Sequence, residues 1–231
     1  MDEGCAPDNY TCAETNFSNP YAPSTFFSGT ATTTFTYDNS GNIASTTGEA
    51  TSSFLWDYKN RMISAWVSGA TSTYAYDHTV QRVRQTSTTT TTHYPSKFYS
   101  VEYAGVSTTT GTSTSHIWHG DTLVAYIEQR IANGQATGTP TTLYAHPDHL
   151  GSTNVVTNAS GTIVETLDYY PYDAERIHSG SADADRTFIG QFGDDPTVLS
   201  YLNAAVRNGG EITADLGSTN YCWSRAVSPF H

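Results

Sequence analysis

One short stretch, His146-Pro147-Asp148-His149 followed by Ser152, brings together side chains that bind metals and move protons. Imidazoles and a carboxylate this close can ligate Zn²⁺, or the carboxylate can orient a histidine base. A further zinc ligand would have to come from His116, His119 or His178, because the upstream His-x-His of metallo-hydrolases is missing. Ser152, beside Gly151, adds a possible nucleophile for a Ser-His-Asp hydrolase, although the Gly-x-Ser-x-Gly elbow is absent. The same residues also have a structural reading. His146 and Asp148 would satisfy backbone groups in a tight turn, Leu150 would enter the core and Gly151 would make the bend. Asp194-Asp195 before Pro196 offers paired carboxyls, which sugar hydrolysis needs across a cleft. Asp beside Pro is equally a solvated turn.

Other chemistry is narrowed by composition. The 231 residues carry a net charge of −12, and ten basic residues are scattered along them. That balance speaks against a nucleic-acid partner, which calls for clustered Lys and Arg. No run of about 18 apolar residues is present, so no membrane span is predicted. The acidic start Met1–Cys5 is not a signal peptide. Cys5, Cys12 and Cys222 lack CxxC spacing, and a Cys5–Cys12 disulfide is one option in an extracellular protein. No phosphate-binding glycine loop or dinucleotide fingerprint occurs. Trp56, Trp66, Trp118 and the 16 Tyr could stack on sugar rings if they face outward, or fill a core if they do not. Asn16 and Asn158 fit the glycosylation sequon.

These residues must be positioned by sheet. Charged residues are only 14%, against roughly 25% in an ordinary soluble domain, while aromatics reach 13% amid abundant Thr and Ser. Aromatic and β-branched residues suit a pleated, half-buried surface. Residues 31–86 contain a repeat: Tyr37-Asp38 with Gly41, Trp56-Asp57 with Asn60, and Tyr76-Asp77 with Val80. The pairs recur every 19 to 20 residues, a period that suggests stacked units sharing one core. The aromatic ends a strand, Asp caps the turn, and Gly or Asn accepts the positive φ that follows. Val80 makes the third unit degenerate. Residues 1–30 read as an irregular arm and Ser87–Thr92 as a solvated strand. Residues 116–131 and 141–146 read as strands joined by an Asn133–Pro140 loop. Asn158–Gly161 turns a hairpin, residues 174–187 form a polar loop, and Pro196–Val206 is the one modest helix candidate.

Together the motifs resemble the Rhs, or YD-repeat, family. Tyr144-x-His146-x-Asp148-His149-Leu150-Gly151-Ser152-Thr153 is similar to the Rhs-associated core pattern, and a hairpin with a Ser-Gly turn follows it. Asp168-Tyr-Tyr-Pro171-Tyr172 resembles the family's Y-x-P-[YF]-G element, with Asp173 in place of Gly. Phe188-Ile-Gly190-Gln191 and Tyr201-Leu-Asn203-Ala204 continue the likeness, which covers residues 31–204. After Ala204 the family's Arg-Tyr-Tyr-Asp block and its downstream motifs are missing, so residues 205–231 read as a divergent or out-of-frame tail. The resemblance implies a shell wound from such repeats, able in a longer chain to enclose a C-terminal toxin, in proteins of cell-surface contact or carbohydrate binding.

The expected fold is therefore all-β: antiparallel repeat hairpins forming a curled sheet or partial β-shell, with little helix. The expected function is that of an extracellular or envelope module for surface interaction or toxin packaging, with no toxin domain of its own. Surface glycans or envelope proteins are its expected partners. No cofactor is expected unless the histidine cluster holds zinc. The alternatives are a hydrolase using His146, Asp148 and His149, and a carbohydrate-binding module. Tyr37, Asp38, Gly41, Trp56, Asp57, Tyr76, Asp77, Leu150 and Gly151 are the structural hallmark positions.

Overall fold

Strands form where small hydroxyl residues alternate with aromatics. The structure, a computed structural model, describes residues 10–12, 23–28, 31–48, 51–105, 107–170, 175–180, 182, 186–194, 199–202 and 205–207. Its first strands are β1 (Tyr10–Cys12), β2 (Pro23–Ser28), β3 (Ala31–Tyr37) and β4 (Ile43–Thr47). Then come β5 (Ser52–Trp56), β6 (Met62–Val67), β7 (Ala70–Tyr76) and β8 (Arg82–Ser87). They continue as β9 (Thr90–Ser96), β10 (Tyr99–Ala104), β11 (Gly111–His119) and β12 (Thr122–Ala132). The last four of the sheet are β13 (Gln135–Pro147), β14 (Thr153–Asn158), β15 (Ile163–Tyr169) and β16 (Glu175–Gly180). All sixteen pair antiparallel in chain order, from β1 at one end to β16 at the other. The fold is all-β, and the one helical turn among the described residues is Phe188–Gly190. No helix among them is long and apolar enough to cross a membrane.

The strict alternation sends one side chain in two inward. In β3, Thr33 and Phe35 are buried while Thr32, Thr34 and Thr36 are exposed. β5 and β7 repeat the pattern with Ser52 and Phe54, then Ser72 and Tyr74. One core forms from Phe35, Ile43, Phe54, Met62, Ala65 and Tyr74, with Tyr37, Trp56 and Tyr76 packed against it. A second gathers Leu123, Tyr126, Leu143, Ala145, Val156 and Leu167.

The hairpin turns after β3, β5 and β7 are copies of one another. In each, the Oδ1 of Asp38, Asp57 or Asp77 accepts the backbone N–H groups two and four residues on, at 2.8–3.0 Å. The residue three after the Asp takes a positive φ: Gly41 at 84°, Asn60 at 58°, Val80 at 71°. The residue six after it (Ala44, Ile63 or Val83) is an unpaired extra in the returning strand, so each turn carries a bulge. Bulges bend the strand and increase its twist, and one per hairpin at a fixed place curls the sheet. The repeats are also tied to one another. Trp56 Nε1 donates to the Ile43 carbonyl at 2.8 Å, and the Tyr76 hydroxyl donates to the Met62 carbonyl at 2.7 Å.

Several sequence expectations need correction. Tyr10–Cys12 and Pro23–Ser28 are strands, so the sheet begins inside the expected arm. The expected Asn133–Pro140 loop shrinks to Asn133-Gly134, both at positive φ, because β12 and β13 run on to meet them. Ser87–Thr92 divides into a turn, where Ser87 Oγ accepts the Thr89 and Thr90 N–H groups, and the start of β9. Glu175–Gly180, placed in a polar loop by its composition, is strand because β15 offers it a free edge to pair with. The helix candidate is wrong for its described part: β17 (Gly193–Asp194), β18 (Leu199–Leu202) and β19 (Ala205–Arg207) pair in a small antiparallel sheet of their own. The helical spacing was too short to outweigh sheet pairing. Cys5, Asn16, Asp195 and Cys222 lie outside the described residues, as does the tail beyond Arg207.

Val80 is a β-branched residue in the left-handed region, where an L side chain costs about 1–2 kcal/mol. Val80→Gly should therefore raise the unfolding free energy by up to about 1 kcal/mol, some gain being lost to unfolded-state entropy. Gly151 takes the same turn position at φ 87°, with no atom within 4 Å of a Cβ built there. Gly151→Val should lose about 1–2 kcal/mol through backbone strain alone. Urea unfolding of both variants measures the pair.

Candidate functional site

The His146–Ser152 cluster lies on a fourth copy of the turn. Asp148 Oδ1 accepts the N–H groups of Leu150 and Ser152 at 2.8 and 2.9 Å, and Gly151 supplies the positive φ. Asn158 heads a fifth copy on the opposite edge of the sheet, accepting from Ser160 and Thr162 at 3.0 Å each. Both turns carry the bulge six residues on, at Asn154 and Val164. The sequon Asn158 thus has its amide oxygen committed to a turn.

The turn separates the candidate residues. His146, before the turn, is exposed and bonds through Nε2 to Thr157 Oγ1 at 2.9 Å. His149 is exposed at the turn's tip. Ser152 is buried, and its Oγ accepts the Ile189 N–H at 3.0 Å. Leu150 is not in the core: it is 59% exposed. The reason is its position two after the Asp, which points outward in the other Asp-headed copies, as Ser40, Lys59 and Thr79 do.

The candidate zinc ligands do not converge. Among the described residues no three His, Cys, Asp or Glu side chains gather into a group that could hold a metal ion. His116 is buried edge-on to Phe192, His119 is exposed, and His178 bonds Glu165 at 3.1 Å on β16.

What the sequence reading missed is a strap. Arg186–Phe192 forms a sixth turn closed by the same pair of backbone bonds, but with both Ile189 and Gly190 at positive φ. The Thr187 N–H donates to Gln191 O at 2.9 Å, Gly190 N–H donates to Thr187 O at 3.2 Å, and Arg186 pairs with Phe192. Thr187 stands at the Asp position and gives no side-chain cap. This turn docks on the Asp148 turn: the Thr153 N–H donates to Thr187 O at 3.1 Å, and the Thr153 hydroxyl to Arg186 O at 2.7 Å. Its Phe192 reaches across to Tyr94, ring centroids 4.5 Å apart. The buried Arg186 guanidinium lies 3.7 Å from the Phe192 centroid and 5.0 Å from that of Trp118, and Nη1 donates to Gly190 O at 2.9 Å. The buried Arg82 guanidinium lies 4.7 Å from the Tyr94 centroid. Desolvated cation–π contacts of this kind contribute about 2 kcal/mol each. The Phe188-Ile-Gly-Gln191 motif was visible in the sequence, but nothing in it says where the motif docks.

Between the strap, the Asp148 turn and the β11–β12 turn lies a cleft of about 360 Å³. Asp121, Thr122, Asp148, His149, Arg186 and Gln191 are its polar walls, and Leu123 and Pro147 are among its apolar ones. The size suits a small ligand or one side chain.

Charge in the turns is set locally. Burial pushes the Asp57 carboxyl up, but the Arg61 guanidinium and the N–H groups of Arg61 and Lys59 outweigh it and hold it below the usual carboxylate range. Asp57 in turn raises Arg61. The Thr79 hydroxyl, with the Gln81 and Thr79 N–H groups, holds Asp77 low. Arg176 does the same for Asp168, aided by the Tyr169 N–H.

No protein-family model matches the chain, and no curated relative matches it either. Solved structures do. A Photorhabdus luminescens Tc holotoxin pore bearing a TccC3 mutation matches at TM-score 0.56 and 13% identity, over 76% of this chain and 11% of that one. A TcdB2-TccC3-TEV structure matches at TM-score 0.58 and 12% identity, over 77% and 12%. TcdB2-TccC3 without its hypervariable C-terminal region matches at TM-score 0.57 and 12% identity, over the same shares. The chain shares the fold of a stretch of these toxin chains and spans about an eighth to a ninth of their length.

Two outcomes follow. An Asp whose folded pKa is depressed contributes stability above its unfolded pKa of about 3.9, and that stability is lost as pH falls through the folded value. Asp57→Asn should cost about 1–2 kcal/mol at pH 7. The gap from the parent should close in acid, well below about pH 4, as read by urea unfolding across pH. Ser152→Ala removes the acceptor of the Ile189 N–H and should cost about 1–3 kcal/mol. Hydrogen exchange should then quicken in residues 186–192 before it does in β13 and β14.

Proposed function

We propose that this chain is a wall segment of a YD-repeat β-shell, belonging to a longer toxin-related protein that works outside the cell or at its envelope. In this reading it contributes an architecture for surface contact or for enclosing a cargo, rather than a reaction. One observation carries the proposal: a single Asp- or Asn-capped turn with its bulge recurs through a sheet whose strands pair in chain order. A sheet built so gains area by adding identical hairpins, as a wall does. The likeness to the Tc toxin structures supports the reading at the level of fold. The exposed β16 offers its outer edge to whatever strand comes next in a longer chain.

The test is a cryo-electron microscopy structure of the complete chain encoded by the gene. A closed hollow wall containing β3–β16, with the Leu123 and Phe35 face turned inward, is the expected result. An open sheet whose two faces both meet solvent would remove the shell reading.

A further inference from the structure

One copy of the turn differs from the rest in the atom it leaves over. Asp38, Asp57, Asp77 and Asp148 cap their turns with a carboxylate, whereas Asn158 caps its own with an amide. A carboxylate is the stronger acceptor of backbone N–H groups, so capping alone does not account for the amide. Asn158 Oδ1 accepts the Ser160 and Thr162 N–H groups at 3.0 Å each and the Ser160 hydroxyl at 2.7 Å. Those three donors settle which end of the amide is oxygen. Nδ2 is the atom left over, and among the described residues no acceptor takes it. The Asp-headed copies have no such nitrogen. At the position matching Ser160, the Thr79 hydroxyl donates to both oxygens of Asp77.

Ser160 is also the residue that makes Asn158-Ala159-Ser160 a glycosylation sequon. The turn thus holds the sequon closed on itself, with the hydroxyl already on the amide oxygen. Residues 159–163 are all exposed, so the tip is open to an enzyme. An amide nitrogen is a poor nucleophile, because its lone pair is delocalised onto the oxygen. Donors on Oδ1 stabilise the negative charge that builds there as Nδ2 gives up a proton. A relay strengthens them. Thr162 Oγ1 lies 3.2 Å from Ser160 Oγ, whose own proton goes to Asn158, so Thr162 is the donor of that pair. Hydrogen bonds in such a chain polarise one another.

We propose that Asn158 is a modification site, a glycosyl acceptor that its turn presents to an asparagine glycosyltransferase already folded. The donor is a nucleoside-diphosphate sugar. Nδ2 forms a bond to the anomeric carbon as the bond from that carbon to the phosphate oxygen breaks. The nucleoside diphosphate leaves with the bonding pair, and the Nδ2 proton passes to a base of the transferase. Oδ1 keeps its three donors throughout, so the turn stays capped when the sugar is attached. This assignment rests on the turn alone and stands apart from the shell reading.

The probe is UDP-glucose with a soluble asparagine glycosyltransferase active on Asn-x-Ser peptides, applied to the folded 231-residue chain. Intact mass and peptide mapping follow the product. Hexose is expected on Asn158, at a rate no lower than on a synthetic peptide spanning residues 154–166. Asn158→Asp restores the carboxylate of the other copies, so it should lose that hexose and keep the circular dichroism of the parent. Thr162→Ala leaves the sequon intact but removes the relay. It should slow transfer to the folded chain by about twofold to fivefold, and leave the rate on the matching peptide unchanged. No hexose on Asn158 of the folded chain, transfer at least about tenfold faster on the peptide, or an undiminished rate in folded Thr162→Ala would each overturn the assignment.

Discussion

The interaction on which the structure depends is one carboxylate oxygen accepting two backbone N–H groups. At Asp38, Asp57, Asp77 and Asp148 the same Oδ1 closes the same turn. The turn leaves one residue with positive φ and one residue unpaired in the returning strand. Every later feature follows from that pair of constraints. The left-handed position asks for Gly or Asn, and the extra residue produces a bulge at a fixed place. The bulge curves the sheet while leaving its alternation intact, so the aromatics before the Asp keep reaching the core. Neutral Asn158 performs the same service, which shows that the oxygen's geometry matters more here than its charge.

Charge becomes important between turns rather than within them. Arg61 joins its own Asp57 to the backbone of the next turn, and Asn42 joins Asp38 to Asn60. The strap uses the cation differently. Arg186 enters the interior with aromatic faces around it and carbonyl oxygens before it, so its guanidinium holds a folded-back segment to the sheet. Phe192 then connects elements more than 70 residues apart, meeting Tyr94 on one side and Arg186 on the other.

The sequence determined the repeat. Aromatic-Asp pairs at a 19- to 20-residue spacing, Gly or Asn three residues on, and alternating Thr and aromatic residues were enough to establish an all-β sheet of stacked hairpins. These are local signals, since each turn is closed by atoms within five residues of its Asp. Tertiary structure alone decided the rest. It separated His146, His149 and Ser152, three neighbours in sequence, onto an exposed strand, a turn tip and a buried contact. A turn reverses the chain within a few residues, so closeness in sequence does not confer a common direction. It sent Leu150 outward, because an apolar side chain at the second turn position has no core to enter. It also brought residues 186–192 onto the Asp148 turn by contacts about 33 to 37 residues apart, which no local pattern encodes.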